Sequence, residues 1–325
     1  MKAELKEIIE HLNPKILDVD NVSIDSFRRL GIGEGNINYI FKIKDKRFIC
    51  RVNIDKGVPD KSKEEFNSLK KIENLNIAPK AFYYHPKDKR FPYGFIILEF
   101  IDGKPFRKRK RNYTQKQVKQ IAFLLAELHS KACRGLQRKN YSFRHYLKEC
   151  NAYIRRINKQ NNKLKRELRN VCSAIRDFLP KREKHEFSLI HGDVCPQNII
   201  EIKKGLKLID WESLQCSDPA KDIANILIDL GLKNNNLNFF LKEYQKIRED
   251  QTILERAKIY SILLRATYFL WEITRSFEII NKELPEEYIT KTTAQSHINE
   301  AKSQFKKLSK LLDLPRIDIE VLFNA

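Results

Sequence analysis

The chain has 325 residues, 42% of them hydrophobic and 32% charged, with a formal net charge of +21. That length suits two lobes of roughly 100–200 residues each better than one small core. No apolar run approaches the roughly 18 residues that span a membrane, residues 1–7 lack the apolar stretch of a signal peptide, and the six cysteines form no C-x-x-C pair, which argues against a zinc site or a disulfide framework and for a reducing cytoplasm.

Apolar spacing at Leu5, Ile8, Ile9 and Leu12 predicts an amphipathic helix over 4–12, closed by Asn13-Pro14. Strand-like runs follow at 24–29, 38–44 and 47–53, the last two joined across Lys44-Asp45-Lys46 as a hairpin. Residues 61–74 read as a helix with Phe66, Leu69 and Ile72 inward, and two more strands fall at 80–85 and 94–101. After Asp102-Gly103 the pattern turns helical. Val118, Ile121, Ala122, Leu125 and Leu128 share one face of 114–132, and 143–178 makes one long or two shorter basic helices. Short strands at 198–203 and 206–210 interrupt the helices, which resume at 219–230, 236–248, 252–279 and 285–311. The run Tyr260–Trp271 is apolar nearly all round, as in a core helix. The expected class is α+β: a small antiparallel sheet with one helix over 1–101, then a larger helical part over 102–325.

Three segments carry chemistry. Gly31-Ile32-Gly33-Glu34-Gly35 lies between two predicted strands. Glycine lets a backbone approach phosphate oxygens and aim its N–H groups at them, although such a turn is also an ordinary hairpin. No Gly-Lys-Ser/Thr follows, and the strand-then-helix context of a dinucleotide fingerprint is missing. On the next strand Arg51 is the one cation among Phe48, Ile49, Cys50 and Val52. A buried cation needs an anion, so Arg51 should meet Glu65 or Glu64 on the following helix, with phosphate beyond, unless it is an exposed edge residue. The third segment is 190–212. Asp193 and Asn198 stand as D-x-x-x-x-N, the spacing of a kinase catalytic loop, where the Asp faces the acceptor hydroxyl and the Asn holds magnesium. Asp210 ends the apolar run of Leu206, Leu208 and Ile209, in the place of the second metal-binding Asp. Taken singly, these acids read equally well as caps or turn residues. Together they supply the base and metal ligands that phosphoryl transfer requires.

The motifs resemble those of the aminoglycoside phosphotransferase and choline kinase superfamily, the small-molecule branch of the protein-kinase-like fold. The resemblance rests on Gly35-x-x-Asn38-x-x-Phe41, Arg51, Glu65-x-x-x-Leu69, Leu98-Glu99-Phe100-x-x-Gly103, Leu125-Ala-x-Leu128-His129, His191-Gly192-Asp193-x-x-Pro196-x-Asn198, Ile209-Asp210-Trp211-Glu212 and Asp218-Pro219-x-x-Asp222. It covers about residues 24–230. It implies a two-lobed fold with a nucleotide-binding lobe over 1–101 and an acceptor lobe over 102–325. It also implies ATP and Mg2+ as cofactors, with Asp193 as catalytic base and Asn198 and Asp210 on the metal. Gly33, Gly35, Asn38, Arg51, Glu65, Glu99 and Ile101 would then hold the nucleotide, the last two at the hinge strand. No Ala-Pro-Glu segment follows Asp210, which disfavours a protein acceptor.

Residues 104–182 hold 24 Lys+Arg against four acids, Glu127, Glu149, Glu167 and Asp177. That block accounts for nearly all of the net charge and includes the run Arg107–Arg111. It reads as solvated helix faces, as attraction for an anionic small substrate, or as a nucleic-acid contact. The expected function is therefore transfer of a phosphoryl group to a hydroxyl of a small neutral or anionic metabolite, such as a sugar, nucleoside or vitamin alcohol. The alternatives are a kinase-fold protein that binds RNA through 104–182, and an aminoglycoside or choline kinase, whose cationic acceptors the basic block should repel. A cytoplasmic protein without membrane attachment is expected.

Overall fold

Alternation sets the first sheet. Ile37, Tyr39, Phe41 and Ile43 on one strand and Phe48, Cys50 and Val52 on the next are all buried, each set two residues apart and therefore on one face. These strands, β2 (Asn36–Ile43) and β3 (Lys46–Asn53), form an antiparallel hairpin that β1 (Ser26–Ile32), β4 (Ala81–His85) and β5 (Phe95–Glu99) extend in the order β1-β2-β3-β5-β4. All four pairings are antiparallel. Helix α1 (Lys2–Glu10) buries Leu5 and Ile9 in the same core. A ladder of rings, Phe27, Phe41, Phe48 and Phe82, crosses that face with centroids 5.1–5.9 Å apart. Helix α2 (Lys61–Ile72) turns Leu69 and Ile72 inward as expected, leaves Phe66 only half-buried, and also buries Glu65.

The structure is a computed structural model that describes residues 1–32, 36–54, 61–106, 113–133, 136, 143–157, 162–180, 186–283 and 293–314. Contacts divide the chain into two compact units. The first comprises Met1–Ser130, His191–Leu214 and Asn235–Arg248. Beyond the five-stranded sheet it contains β6 (Lys104–Pro105), β8 (Ile199–Ile202) and β9 (Gly205–Leu208) in the order β6-β8-β9. Helix α3 (Gln115–His129) belongs to it as well. Thr114 opens that helix with a capping box to Gln117, and Val118, Ile121, Ala122, Leu125 and Leu128 are buried as the periodicity predicts. A side chain at Gly103 would put its Cβ 2.5 Å from Ile200 Cγ2 and 2.6 Å from the Glu201 carbonyl, so only glycine lets the chain pass there.

The second unit comprises Lys131–Ile190, Gln215–Asn234 and Glu249–Ala325. The basic stretch makes two helices, α4 (Phe143–Arg156) and α5 (Asn162–Phe178). A two-stranded ribbon follows, β7 (Ser188–Ile190) with β10 (Gln215–Ser217). Helix α6 (Ala220–Asn225) runs into a π-helical turn at Ile226–Leu230, α7 (Asn234–Gln245) returns to the first unit, and α8 (Ile253–Ile280) and α9 (Ala294–Leu312) pack together. On α8, Tyr260, Leu263, Ala266, Phe269 and Leu270 are buried, as the apolar run predicts. Its Arg256 forks onto Asp218 at 2.9 and 3.0 Å and onto Asp250 at 2.8 and 3.1 Å. Against the expectation from cysteine spacing, which argued against disulfides, Cys133 and Cys216 form one with a Cα–Cα distance of 5.4 Å, joining residues 83 apart that only the fold brings together.

Three short strands escaped the sequence pattern, because two or three residues show no alternation and each pairs with a distant partner. The tail helix is described over Ala294–Leu312; the expected start at 285 falls in residues 284–292, which lie outside the described residues, as do Gly33, Gly35, Arg107, Arg109 and Arg111. No helix among the described residues is long and apolar enough to cross a membrane.

Candidate active site

The segment from His191 to Asn198 is held by its own polar side chains. Asn198 donates through Nδ2 to the Asp193 carboxylate at 2.9 Å and to the Asp193 carbonyl at 3.0 Å. The backbone N–H of Asp193 donates to His191 Nδ1 at 3.2 Å, so the imidazole carries its proton on Nε2, which donates to the Ile209 carbonyl at 3.1 Å. The Ile209 N–H in turn donates to the Asn198 carbonyl at 2.9 Å. Buried His191 thus ties the segment carrying Asp193 to the one carrying Asp210, and its ring meets Trp211 edge-on at 4.5 Å. Gly192, between His191 and Asp193, has φ +88°, a backbone state that glycine adopts without strain. Sequence reading quoted His191 only as part of a motif. Its bracing role depends on Ile209, 18 residues away.

Asp210 itself has φ +68° and ψ +66°, left-handed for a residue with a Cβ. Such strain at a carboxylate is common where function fixes its direction. Across from it stands Arg51, whose backbone on β3 is paired with Asn38 on β2 and Ile96 on β5. Its side chain is 11% exposed and meets three carboxylates: Asp210 at 2.7 Å, Glu65 at 3.0 Å and Glu212 at 3.8 Å. Of the two partners the sequence left open, Glu65 is the one used. Asn36, at the start of β2, donates to Glu212 at 3.4 Å; neither that contact nor the Arg51–Asp210 pair was legible in spacing. Burial works against the charge on Arg51, but Glu65, Asp210 and Glu212 outweigh it and hold its pKa above the ordinary value. Burial raises Glu65 from 4.5 to about 7, opposed by Arg51 and reinforced by Asp210 and Glu212.

Beside this cluster lies a cavity of about 180 Å³. Leu30, Ile49, Leu98, Ile101, Ile200 and Ile209 give it apolar walls, and Asn38, Arg51, Glu65, Glu99 and Asp210 give it polar groups. Six of the sequence-predicted residues, Asn38, Arg51, Glu65, Glu99, Ile101 and Asp210, therefore line one cavity. The Glu99 carboxylate accepts from the Lys80 N–H at 3.1 Å and from Lys207 Nζ at 3.2 Å. Asp193 and Asn198 are joined to each other and, through His191 and Ile209, to Asp210. An apolar cavity with a cluster of charged groups in its lining suits a flat base with a polyphosphate tail.

The oxygen donors available to a metal are the carboxylates of Asp193 and Asp210 and the amide oxygen of Asn198, whose Nδ2 is committed to Asp193. Such a set fits a hard cation such as Mg2+, which is usually held by one or two carboxylates together with substrate phosphates. Among the described residues no group of three His, Cys, Asp or Glu side chains is arranged to hold a metal without such help.

Residues 26–257 match the model of the phosphotransferase enzyme family. The chain belongs to that family. It is a phosphotransferase with an alcohol group as acceptor, and its fold is the two-lobed, protein-kinase-like α+β fold. Solved structures agree on the fold. Choline kinase LicA from Streptococcus pneumoniae is 21% identical, with 94% of this chain and 99% of that one covered and a TM-score of 0.63. A choline kinase from Cryptosporidium parvum is 16% identical over 97% of this chain and 98% of that one, at a TM-score of 0.65. A spectinomycin phosphotransferase, solved with ADP and spectinomycin, is 15% identical over 93% of each chain, at 0.62.

Proposed function

We propose that the phosphotransferase moves the γ-phosphoryl group of ATP to a hydroxyl of a small neutral or anionic metabolite, such as a sugar, nucleoside or vitamin alcohol. The observation that carries this reading is the hydrogen-bonded Asp193–Asn198 pair, coupled through His191 to Asp210 in the lining of the cavity. Asp193 accepts the proton of the attacking hydroxyl. Asn198 fixes the direction of the Asp193 carboxylate and offers its own amide oxygen to Mg2+ together with Asp210. Bound Mg2+ would neutralise charge on the transferring group. Arg51, anchored by Glu65, binds phosphate oxygens through its fork of donors. Asn38 lies beside the phosphates, with Gly33 and Gly35 assigned to the same loop from sequence. The hinge residues Glu99 and Ile101 hold the base. The lobe assignment, 1–101 for nucleotide and 102–325 for acceptor, belongs to the same proposal.

The preference for a neutral or anionic acceptor rests on the basic residues exposed on α4 and α5. A second reading, a cationic alcohol such as choline or an aminoglycoside, is supported by the names of the structural relatives. One experiment separates them. The purified protein with Mg2+ and γ-labelled ATP is offered neutral and anionic hydroxyl metabolites in one panel and choline, ethanolamine and aminoglycosides in another. Label in a product of the first panel alone is expected. Label only in the second panel gives the acceptor to the second reading, and none in either with intact nucleotide binding refutes both.

A further inference from the structure

The contact between Arg51 and Asp210 has a consequence for the order in which ligands bind. Asp210 Oδ1, assigned above to the metal, is already 2.7 Å from Arg51 Nη2, a shorter contact than the 3.0 Å from Arg51 Nε to Glu65. Glu212 approaches the same Nη2 at 3.8 Å. One positive charge therefore serves three carboxylates, and the cluster keeps a negative surplus that a divalent cation would offset. The cation and the guanidinium compete for the same oxygen, because both are positive and repel each other at that distance.

The two partners differ in how they can yield. The left-handed backbone at Asp210 sets where its carboxylate points. Arg51 has a backbone hydrogen-bonded on both sides but a long side chain that can pivot about its pairing with Glu65. A nucleotide's phosphates offer it other oxygens in the bidentate geometry that a guanidinium favours.

We propose that Arg51 and a divalent cation are alternative partners of Asp210, so that the protein takes the cation tightly only when nucleotide phosphates draw the guanidinium away. The inference rests on the assignment of Asp210 as metal ligand. Coupling of this kind is reciprocal: the factor by which nucleotide strengthens metal binding is the factor by which metal strengthens nucleotide binding.

The test uses Mn2+ as the probe, with binding to the full-length protein followed by electron paramagnetic resonance. Without nucleotide, wild type should bind Mn2+ weakly, and Arg51→Gln should bind it about tenfold more tightly, because the competing cation is gone. Arg51→Lys keeps the charge and should stay near wild type. Unchanged Mn2+ affinity in a folded Arg51→Gln variant overturns the inference. Should that variant not fold, the wild type decides. The Arg51 Nε–H nuclear magnetic resonance signal, assigned with Arg51→Lys, should hold its position with millimolar Mg2+ alone and move when ADP is added. Movement with Mg2+ alone overturns the inference. Binding of Mn2+–ADP by Asp210→Ala as tight as by wild type would instead remove the metal assignment itself.

Discussion

Two arginines in this molecule are gripped by carboxylates, and they are built differently. Arg256, 6% exposed, forks onto two aspartates with four contacts between 2.8 and 3.1 Å, and Asp250 also accepts from the Thr252 N–H. Donor and acceptor groups there are matched, and the cluster is closed. Arg51 has three carboxylates on two segments, one of them at 3.8 Å, and one of them, Glu65, has its pKa raised to about 7. That cluster has three carboxylates to one cation, against two to one around Arg256, and it stands at a cavity. A buried ion cluster whose donors and acceptors are matched holds a fold together; one loosely paired beside a cavity is prepared for a ligand of the opposite sign.

The difference is open to attack by substitution, and the largest effect expected is on turnover. Asp193→Asn should lower kcat by about 10²–10⁴, the usual worth of a positioned base, with the urea midpoint and nucleotide affinity unchanged. Steady-state kinetics beside equilibrium unfolding checks both halves. Next comes the closed cluster. Arg256→Met leaves two buried aspartates without their cation and should cost about 3–5 kcal/mol of unfolding free energy. A loss under about 1 kcal/mol would mean that the Arg256 cluster is no more structural than the open one.

A sharper contrast pairs two aspartates. Asp218→Asn should destabilise the protein, because Arg256 loses its bidentate partner. Asp210→Asn removes one of three crowded carboxylates and should leave the melting temperature of the ligand-free protein unchanged or higher, while abolishing metal-dependent nucleotide binding. Equal destabilisation by both would end the distinction.

Much of this was legible in the sequence because the relevant chemistry is local. Asp193 and Asn198 are five residues apart and bond to each other directly, so their spacing encodes the geometry. The strands of the hairpin β2–β3 alternate, and α3 repeats its apolar residues at helical spacing. What could not be read joins distant segments. Arg51 and Asp210 are 159 residues apart, Asn36 and Glu212 are 176 apart, and only the folded chain brings them together. The two-residue β6 and three-residue β7 and β10 exist because their partners do, not because of their own composition.

Smaller effects remain. The raised pKa of Glu65 means that the folded state holds a proton that the unfolded state has lost between about pH 4.5 and 7. Its contribution to stability should therefore fall as pH rises through that window and level off above it. Glu65→Gln should flatten the stability of the ligand-free protein across the same range, as urea unfolding at several pH values would show. The least effect is expected on α5, whose Leu164, Leu168, Val171 and Ile175 are buried while Lys163, Arg166 and Arg169 are exposed. Changing those three to Gln together should leave melting temperature and nucleotide kinetics alone. A rise in the acceptor's KM would tie the face to an anionic substrate; a shallower salt dependence of RNA binding would tie it to nucleic acid.

The bridge between Cys133 and Cys216 encloses Asp193, Asn198 and Asp210 in a single covalent ring of the chain. A protease that nicks any peptide bond between residues 133 and 216 would divide the chain into two fragments still joined through sulfur. The nicked protein would run as one species on a denaturing gel until a reductant is added, and then as two.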